Sequence, residues 1–244
     1  MWTNRRHTKA IHLAFNAMHL IEAMPMSISA TEFIQTKLNN VPAKIKLEIL
    51  GWTLPSWTIN AYRQIGVFGF GAAASQLTTD IAKYSIGRLR PHFISVCQPI
   101  LSDGTNCKNP INFGKYIEEF KCGSPDSSER MLKEMRLSFP SGHSSFSVYT
   151  MLYCAIYLQY RMTWRGSKLF KHLMQFCLLM MAWFTCLSRI SDYKHHWSDV
   201  LAGASIGAVT AIIVASSIAD LSFRRRQLLC DLGAHNTNNG TINA

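Results

Sequence analysis

Residues 200–223 read VLAGASIGAVTAIIVASSIADLSF, an apolar stretch with one acidic residue near its end and no Lys or Arg. A helix rises about 1.5 Å per residue, so this stretch reaches about 36 Å and can cross the roughly 30 Å hydrocarbon core of a bilayer. Three other stretches approach the same length and also lack Lys and Arg; they are residues 65–82, 144–160 and 173–187. The four stretches predict an all-α, polytopic transmembrane helix bundle, and the alternative is four buried helices of a soluble protein.

Basic residues are distributed unevenly around the four stretches. The chain carries a net charge of +11, and a group of basic residues without an acid lies between the second and third stretches: Arg161, Arg165, Lys168 and Lys171. Arginines also follow the fourth stretch, at residues 224–226. By the positive-inside rule these segments face the cytoplasm, which leaves residues 92–139 and the link 188–199 on the opposite side. Since the basic groups flank apolar stretches and form no face interleaved with aromatic residues, nucleic acid is not an expected partner.

The overall composition excludes several classes of protein. Hydrophobic residues make up 48% of the chain and charged residues 16%, which is too apolar for a disordered chain. The cysteines form no CxxC pair and no Cys/His array with zinc spacing, so we expect no zinc site. No clean hydrophobic segment followed by a small-residue cleavage site begins the chain, which predicts that no signal peptide is cleaved.

Glycines recur inside the first and fourth apolar stretches. They include Gly66, Gly69, Gly71, Gly203 and Gly207. The Gly-Phe-Gly run at residues 69–71 superficially resembles a dinucleotide-binding loop, but no strand–helix pattern surrounds it. Because glycine lets two backbones approach closely, we expect these residues to lie where helices pack.

A basic cluster follows the first stretch. Lys83 and Arg90 are seven residues apart, about two helical turns, so on a helix they would project from one face, and Pro91 would end that helix. An ammonium beside a guanidinium suits a tetrahedral oxyanion such as phosphate. The alternative is a basic anchor next to the membrane.

A second cluster, PSGHSS at residues 140–145, precedes the second stretch. Pro and Gly ahead of a helix expose backbone N–H groups at its positive end, which favours an anion, and the serine hydroxyls add donors. His143 is placed to donate a proton to a leaving oxygen. A Ser/Gly-rich helix cap without catalytic function is the alternative.

The third cluster lies in the link before the fourth stretch. His195 and Asp199 are four residues apart, so on one helical face the carboxylate can accept from one imidazole nitrogen and leave the other as a nucleophile or base. His196 lacks such a partner and is interpreted as a packing residue. Asp192 and Lys194 form a candidate ion pair. No carboxylate cluster suited to Mg²⁺ accompanies these residues, which predicts metal-independent chemistry without a cofactor.

The three clusters together resemble the three-part signature of the type 2 phosphatidic acid phosphatase superfamily. The strings KYSIGRLRPHF at 83–93, SGHSSFS at 141–147 and LSRISDYKHHWSDV at 187–200 are similar in particular to the animal lipid phosphate phosphatases. The resemblance implies an integral membrane enzyme that hydrolyses phosphatidic acid, lysophosphatidic acid, sphingosine 1-phosphate and ceramide 1-phosphate. Vanadate-dependent haloperoxidases share the motif pattern, but the apolar stretches argue against them.

The resemblance also implies a role for each matching residue. His195 is implied as the nucleophile that forms a phosphohistidine, Asp199 as the residue that orients it, and His143 as the acid for the departing lipid alkoxide. The residues implied to hold the phosphoryl oxygens are Lys83, Arg90, Ser141, Gly142 and Arg189. The implied partners are phospholipid and sphingolipid phosphates, and a homo-oligomer is compatible with this assignment.

The expected organisation has three parts. Residues 1–56 form a divergent, poorly defined N-terminal segment with room for one membrane-associated helix, residues 57–223 form the phosphatase domain, and residues 224–244 form a cytoplasmic tail. The family usually has six spans, so one or two N-terminal spans are expected to be missing, and a catalytically silent, truncated isoform that binds lipid or a partner subunit is the second functional hypothesis. The expected location is the plasma membrane or an endomembrane, with the site on the extracellular or lumenal side. There, Cys107 and Cys122 can pair, with Cys97 as a competitor.

Overall fold

The structure is a computed structural model that describes residues 24–39, 47–49, 52–107, 109–115, 117–124, 128–162 and 168–218. The helices in these ranges are α1 Met24–Asn39, α2 Ser56–Ile86, α3 Phe93–Cys97, α4 Glu129–Glu134, α5 Gly142–Arg161, α6 Lys168–Ser191 and α7 Trp197–Ile213. A π-helical turn, Val214–Ile218, extends α7, and a 3-10 turn covers Pro110–Asn112. Two antiparallel strand pairs complete the described chain: β1 Leu47–Ile49 with β2 Trp52–Leu54, and β3 Pro99–Leu101 with β4 Phe120–Cys122. The predicted all-α bundle is confirmed.

The predicted apolar stretches coincide with the long helices. Residues 65–82 lie in α2, 144–160 in α5 and 173–187 in α6, whereas 200–223 begins in α7 and runs past the last described residue. Within the ranges given above, two helical segments are long and apolar enough to cross a membrane, Leu169–Ser191 and Trp197–Ser217. Large apolar side chains on α6, such as Phe176 and Trp183, are exposed, as expected of a helix surrounded by lipid.

Helix α5 lies at the centre of the bundle and packs against α2, α6 and α7. Its tyrosines recur at four-residue spacing, so Tyr149, Tyr153 and Tyr157 lie on one buried face. The Tyr149 hydroxyl donates to the carbonyl oxygen of Phe68 on α2 at 2.8 Å, and the two rings stack with centroids 5.7 Å apart. Each tyrosine thus fills core volume while its hydroxyl keeps a polar partner.

Glycines set the distance between the packed helices at three positions. A Cβ on Gly71 would collide with the Tyr149 ring, one on Gly203 with the backbone of Ser141, and one on Gly207 with the backbone at Ser145. The expectation of close packing is confirmed at these glycines. It is wrong at Gly66 and Gly69 as far as the described residues go, since none of them lies within 4 Å of the Cβ position.

The N-terminal helix α1 belongs to the core. Met24 and Ile28 are buried against the tyrosine face of α5. Glu32 is also buried; it accepts from the Tyr157 hydroxyl at 2.8 Å and forms an ion pair with Arg161. Arg161, which the sequence assigns to the cytoplasmic side, is thus also an ion-pair partner within the bundle, because α1 covers the end of α5.

The segment between α2 and α5 is tied together by a disulfide. Cys97, the last residue of α3, is bonded to Cys122. The antiparallel pairing of β3 with β4 places Pro99 opposite Cys122 and so brings the two cysteines together. Of the two partners that the sequence left open for Cys122, the structure selects Cys97, and Cys107 is a free, half-buried thiol.

Candidate active site

The ends of four helices meet at one end of the bundle. Successive long helices run in alternating directions, so the last turn of α2 and of α6 approach the first turn of α5 and of α7. The Ser141 N–H donates to the carbonyl oxygen of Asp199 at 3.0 Å, and a Cβ on Gly142 would lie 2.8 Å from the Lys83 Nζ. The structure thus brings the three sequence clusters together.

Helix α2 ends earlier than expected. Gly87 takes φ +60°, and its N–H donates to the carbonyl oxygen of Lys83 at 3.2 Å, so the helix stops at Ile86. Arg90 lies beyond it in an extended segment, where its N–H donates to the carbonyl oxygen of Met135 at 2.9 Å. The expectation that Lys83 and Arg90 share a helical face is wrong, because glycine tolerates this conformation and ends the helix before Pro91.

Lys83, Arg90 and Arg189 nevertheless contribute positive charge to one place. All three act electrostatically on His143 in the first turn of α5. The Nε of Arg90 is buried, and among the described residues no acceptor lies within hydrogen-bond distance of it. A buried guanidinium donor without an acceptor is costly. An anion bound beside the guanidinium would supply that acceptor.

The start of α5 supplies further donors. Ser141 is the N-cap and is buried, and the Ser144 hydroxyl donates to the Ser141 hydroxyl oxygen at 3.0 Å. Gly142 lacks a Cβ, and this lets the ammonium of Lys83 approach the helix N-terminus. Free backbone N–H groups at a helix N-terminus favour an anion, and the neighbouring ammonium adds a full positive charge.

His143 precedes the predicted span 144–160, and its side chain is exposed. The protein around the ring partly displaces water from it and, together with the positive charges of Arg189, Lys83 and Arg90, lowers the pKa of His143 to about 4. This histidine is therefore neutral at pH 7.

His195 is buried in the link between α6 and α7. Its Nδ1 lies 2.8 Å from the carbonyl oxygen of Ser138. A carbonyl only accepts, so Nδ1 carries the proton and Nε2 keeps its lone pair. Burial and the nearby charge of Arg90 lower the pKa of His195 to about 4. The imidazole is thus neutral at pH 7, the state that a nitrogen nucleophile requires.

Asp199 does not contact the imidazole of His195 as expected. Its Oδ2 is 3.9 Å from His195 Nδ1, too far for a hydrogen bond, and accepts instead from the Ser138 hydroxyl at 2.6 Å and from the His196 N–H at 3.0 Å. The reason is that α7 begins at Trp197, so His195 precedes the helix and helical spacing does not apply. His196 was expected to lack a carboxylate partner and to pack, which is wrong: it is the N-cap of α7, forms a capping box with Asp199, and its Nδ1 lies 3.3 Å from Asp199 Oδ2.

Sequence reasoning missed two residues of this network, Arg88 and Ser138. The Arg88 Nη1 donates to Asp199 Oδ1 at 2.7 Å, and Ser138 contacts both Asp199 and His195. The sequence offered a reason to select Arg88, since it lies between Lys83 and Arg90 in the basic cluster. It offered no reason to select Ser138, because the group that contacts His195 is a backbone carbonyl.

The charged groups of the link pair differently from expectation. Asp192 was a candidate partner of Lys194. In the structure its Oδ2 lies 3.4 Å from Arg189 Nη2. The last turn of α6 places residues three apart on one side, and this favours the arginine.

The arrangement is suited to binding and attacking a phosphoryl group. Several cations, a helix N-terminus and a neutral imidazole converge, with a second imidazole nearby. Within the described ranges, no group of three or more His, Cys, Asp or Glu side chains is placed to hold a metal ion.

Comparison with known proteins gives a consistent family. The family model described as "PAP2 superfamily" matches residues 64–222. A Drosophila melanogaster protein named "Putative phosphatidate phosphatase" is 64% identical over 70% of this chain and 45% of its own length. Phospholipid phosphatase 1 of Rattus norvegicus is 52% identical over 65% of this chain and 53% of its own length. Phospholipid phosphatase 2 of Mus musculus is 44% identical over 65% of this chain and 54% of its own length. The chain thus spans about half the length of the curated relatives it matches. No solved structure matches it.

Proposed function

This chain belongs to the PAP2 superfamily, and from that premise we propose that it is an integral membrane lipid phosphate phosphatase that acts without Mg²⁺. The observation that carries the proposal is the buried His195. Its Nδ1 is held by a backbone carbonyl, its Nε2 keeps a lone pair, and Arg90 lies close enough to lower its pKa. A neutral nitrogen nucleophile among fixed cations is suited to attack on a phosphate ester.

In the proposed complex the cations hold the phosphate. Lys83, Arg90 and Arg189 neutralise its charge, and the buried Nε of Arg90 gains the acceptor that it lacks. Ser141 and the Gly142 amide donate from the start of α5. Preorganised donors of this kind stabilise the additional charge of the transition state more than the ground state.

The chemical step then needs two histidines. Nε2 of His195 attacks phosphorus as the ester P–O bond breaks, which gives a phosphohistidine and a lipid alkoxide. The negative charge of the bound phosphate opposes the surrounding cations, so His143 can take up a proton and donate it to the alkoxide. In the second step His143 accepts a proton from water as the water oxygen attacks phosphorus and releases His195.

The proposed substrates are phosphatidic acid, lysophosphatidic acid, sphingosine 1-phosphate and ceramide 1-phosphate. All carry a phosphate monoester on an apolar tail, and the relatives named above are called phosphatidate and phospholipid phosphatases. The site lies at the end of a bundle whose outer helix α6 exposes apolar side chains. Such a site can take a headgroup while the tail stays in the bilayer.

We also propose that the site faces the extracellular or lumenal side of the plasma membrane or an endomembrane. The Cys97–Cys122 disulfide lies in the segment that leads from Arg90 to the start of α5, and disulfides persist in oxidising compartments. Arg161 ends α5, and Lys168 and Lys171 lie in the first turn of α6, so these basic residues are at the opposite end of the bundle, where the positive-inside rule expects the cytoplasm.

The test is phosphate release from phosphatidic acid by membranes containing the chain, with EDTA present. We expect release by the wild type and a loss of at least about 10³-fold in His195→Ala. His172→Ala is the matched control, because His172 is an exposed histidine near the far end of α6, and it should keep wild-type activity. Equal release by wild type and His195→Ala would exclude the proposed nucleophile. No release by the wild type would favour the catalytically silent partner.

A further inference from the structure

Asp199 is the centre of a buried hydrogen-bond network. It is fully buried, and its two oxygens accept from different elements: Oδ1 from Arg88 at 2.7 Å, and Oδ2 from the Ser138 hydroxyl at 2.6 Å and the His196 N–H at 3.0 Å. Arg88 is partly exposed and Asp199 is not. A buried carboxylate needs such neutralisation.

Arg88 and Ser138 are also joined through their backbones. The Ser138 N–H donates to the carbonyl oxygen of Arg88 at 2.9 Å. Ser138 is therefore held on both sides, by its N–H to Arg88 and by its hydroxyl to the carboxylate that Arg88 neutralises. Its carbonyl oxygen, 2.8 Å from His195 Nδ1, is the direct acceptor of the nucleophile.

We propose that Arg88 is a positioning residue for catalysis, which acts through Asp199 and Ser138 to fix the His195 imidazole with Nε2 directed at the phosphate. This inference rests on the proposed function. Asp199 then acts on the imidazole through Ser138 rather than by direct contact. The Arg88 charge also compensates a carboxylate whose Oδ2 is 3.9 Å from His195 Nδ1, so the imidazole can remain neutral beside it.

The role predicts a specific kinetic signature. Lys83, Arg90 and Arg189 bind the phosphate in the proposed complex and are unchanged in an Arg88 variant, so KM should stay within about twofold. The nucleophile loses its alignment, and misplacement of a reacting group by about 1 Å costs on the order of 10²-fold in rate. We therefore expect Arg88→Gln to lower kcat by about 10–100-fold.

A purely structural contact would not change the titration of His195. The groups that act on it electrostatically are Arg90, Asp199 and His143, and Asp199 in turn faces Arg88 and the ring of His196. Loss of the Arg88 charge leaves the carboxylate with the Ser138 and His196 contacts alone, so more of its negative charge acts on His195, which favours the imidazolium. The acid limb of kcat/KM should move to higher pH by about 0.5–1 unit in Arg88→Gln, and Arg88→Lys, which keeps the charge, should recover most of both effects.

The experiment compares wild type, Arg88→Gln, Arg88→Lys and Arg136→Gln on phosphatidic acid in mixed micelles. Arg136 is the matched control, because its side chain is exposed and its backbone pairs with that of Arg88; it should behave as wild type. Melting temperatures show which variants are folded. Unchanged kcat in a folded Arg88→Gln, or a loss confined to KM, overturns the proposal.

A second readout does not need turnover. In protein labelled with 15N-histidine, the imidazole nitrogens of His195, identified by comparison with His195→Gln, report the tautomer and the titration directly. Arg88→Gln should raise the His195 titration midpoint even if phosphatidic acid is not a substrate. An unchanged midpoint and tautomer would overturn the positioning role, whereas failure of the wild type to release phosphate overturns the proposed function alone.

Discussion

Replacement of Gly203 by alanine should disturb both the bundle and the site. Gly203 lies on α7 against the backbone of Ser141, the N-cap of α5. A Cβ at this position would collide with the Ser141 carbonyl oxygen, and it would lie 3.2 Å from the Ser141 carbonyl carbon and 3.3 Å from the Ser141 backbone nitrogen. Because the obstacle is backbone, no change of side-chain rotamer relieves the contact, and α7 must move away from the start of α5.

The magnitude follows from that movement. Overpacking of a close contact costs about 1–3 kcal/mol, and contact with backbone belongs at the upper end. The higher helix propensity of alanine offsets about 1 kcal/mol of this cost. We therefore expect the free energy of unfolding to fall by about 2 kcal/mol, which lowers the melting temperature by about 4–8 °C for a domain of this size. A shift of about 1 Å at Ser141 should lower phosphate release by about 10²-fold.

Gly69→Ala provides the matched control. Gly69 also lies inside a long helix, but no atom in the described part of the chain is within 4 Å of its Cβ position. Only the gain in helix propensity remains, so the free energy of unfolding should be unchanged or slightly higher. The assay is tryptophan fluorescence during thermal unfolding in detergent, with phosphate release measured on the same preparations. The reasoning is refuted if Gly203→Ala melts and turns over like Gly69→Ala.

Three further predictions concern other contacts. Burial lowers the pKa of His195 to about 4, whereas an unfolded histidine titrates near about 6.5, so the unfolded chain binds the proton first and stability falls as pH drops from about 6.5 towards 4. The melting temperature should fall between pH 7 and 5 by more in wild type than in His195→Gln, and equal falls would contradict this. Glu32→Gln should lower the free energy of unfolding by about 3 kcal/mol, because it removes the carboxylate beside the largely buried guanidinium of Arg161. The double variant Glu32→Gln/Arg161→Met should recover part of that loss. Strictly additive losses in free energy would show that the two side chains are not coupled. Cys97→Ser should lower stability by about 3 kcal/mol, since the disulfide closes a 25-residue separation, and peptide mapping of the unreduced protein should recover Cys97 linked to Cys122; a link from Cys107 instead would contradict the structure.

Much of the fold follows from local sequence. The long helices coincide with the apolar stretches because a helix in a low-dielectric environment satisfies its own backbone hydrogen bonds and needs only apolar side chains outside. The family follows from the residues of the three clusters, which appear in order along the chain. Helix α1 was harder to predict, because Glu32 and its neighbours look unsuited to burial until Arg161 is known to lie beside them.

For the site, the identity of the residues could be predicted, whereas their contacts could not. The amino-acid sequence indicated which residues gather near the helix ends, namely Lys83, Arg90, His143, Arg189 and His195. Their connections depend on the folded chain: Gly87 ends α2 before Arg90, Asp199 binds Arg88 and Ser138 rather than His195, and Cys97 rather than Cys107 pairs with Cys122. Helices depend on contacts three and four residues apart, and a sequence displays these directly. The orientation of the His195 imidazole depends on a backbone carbonyl 57 residues away in the chain, which no pattern of side chains encodes.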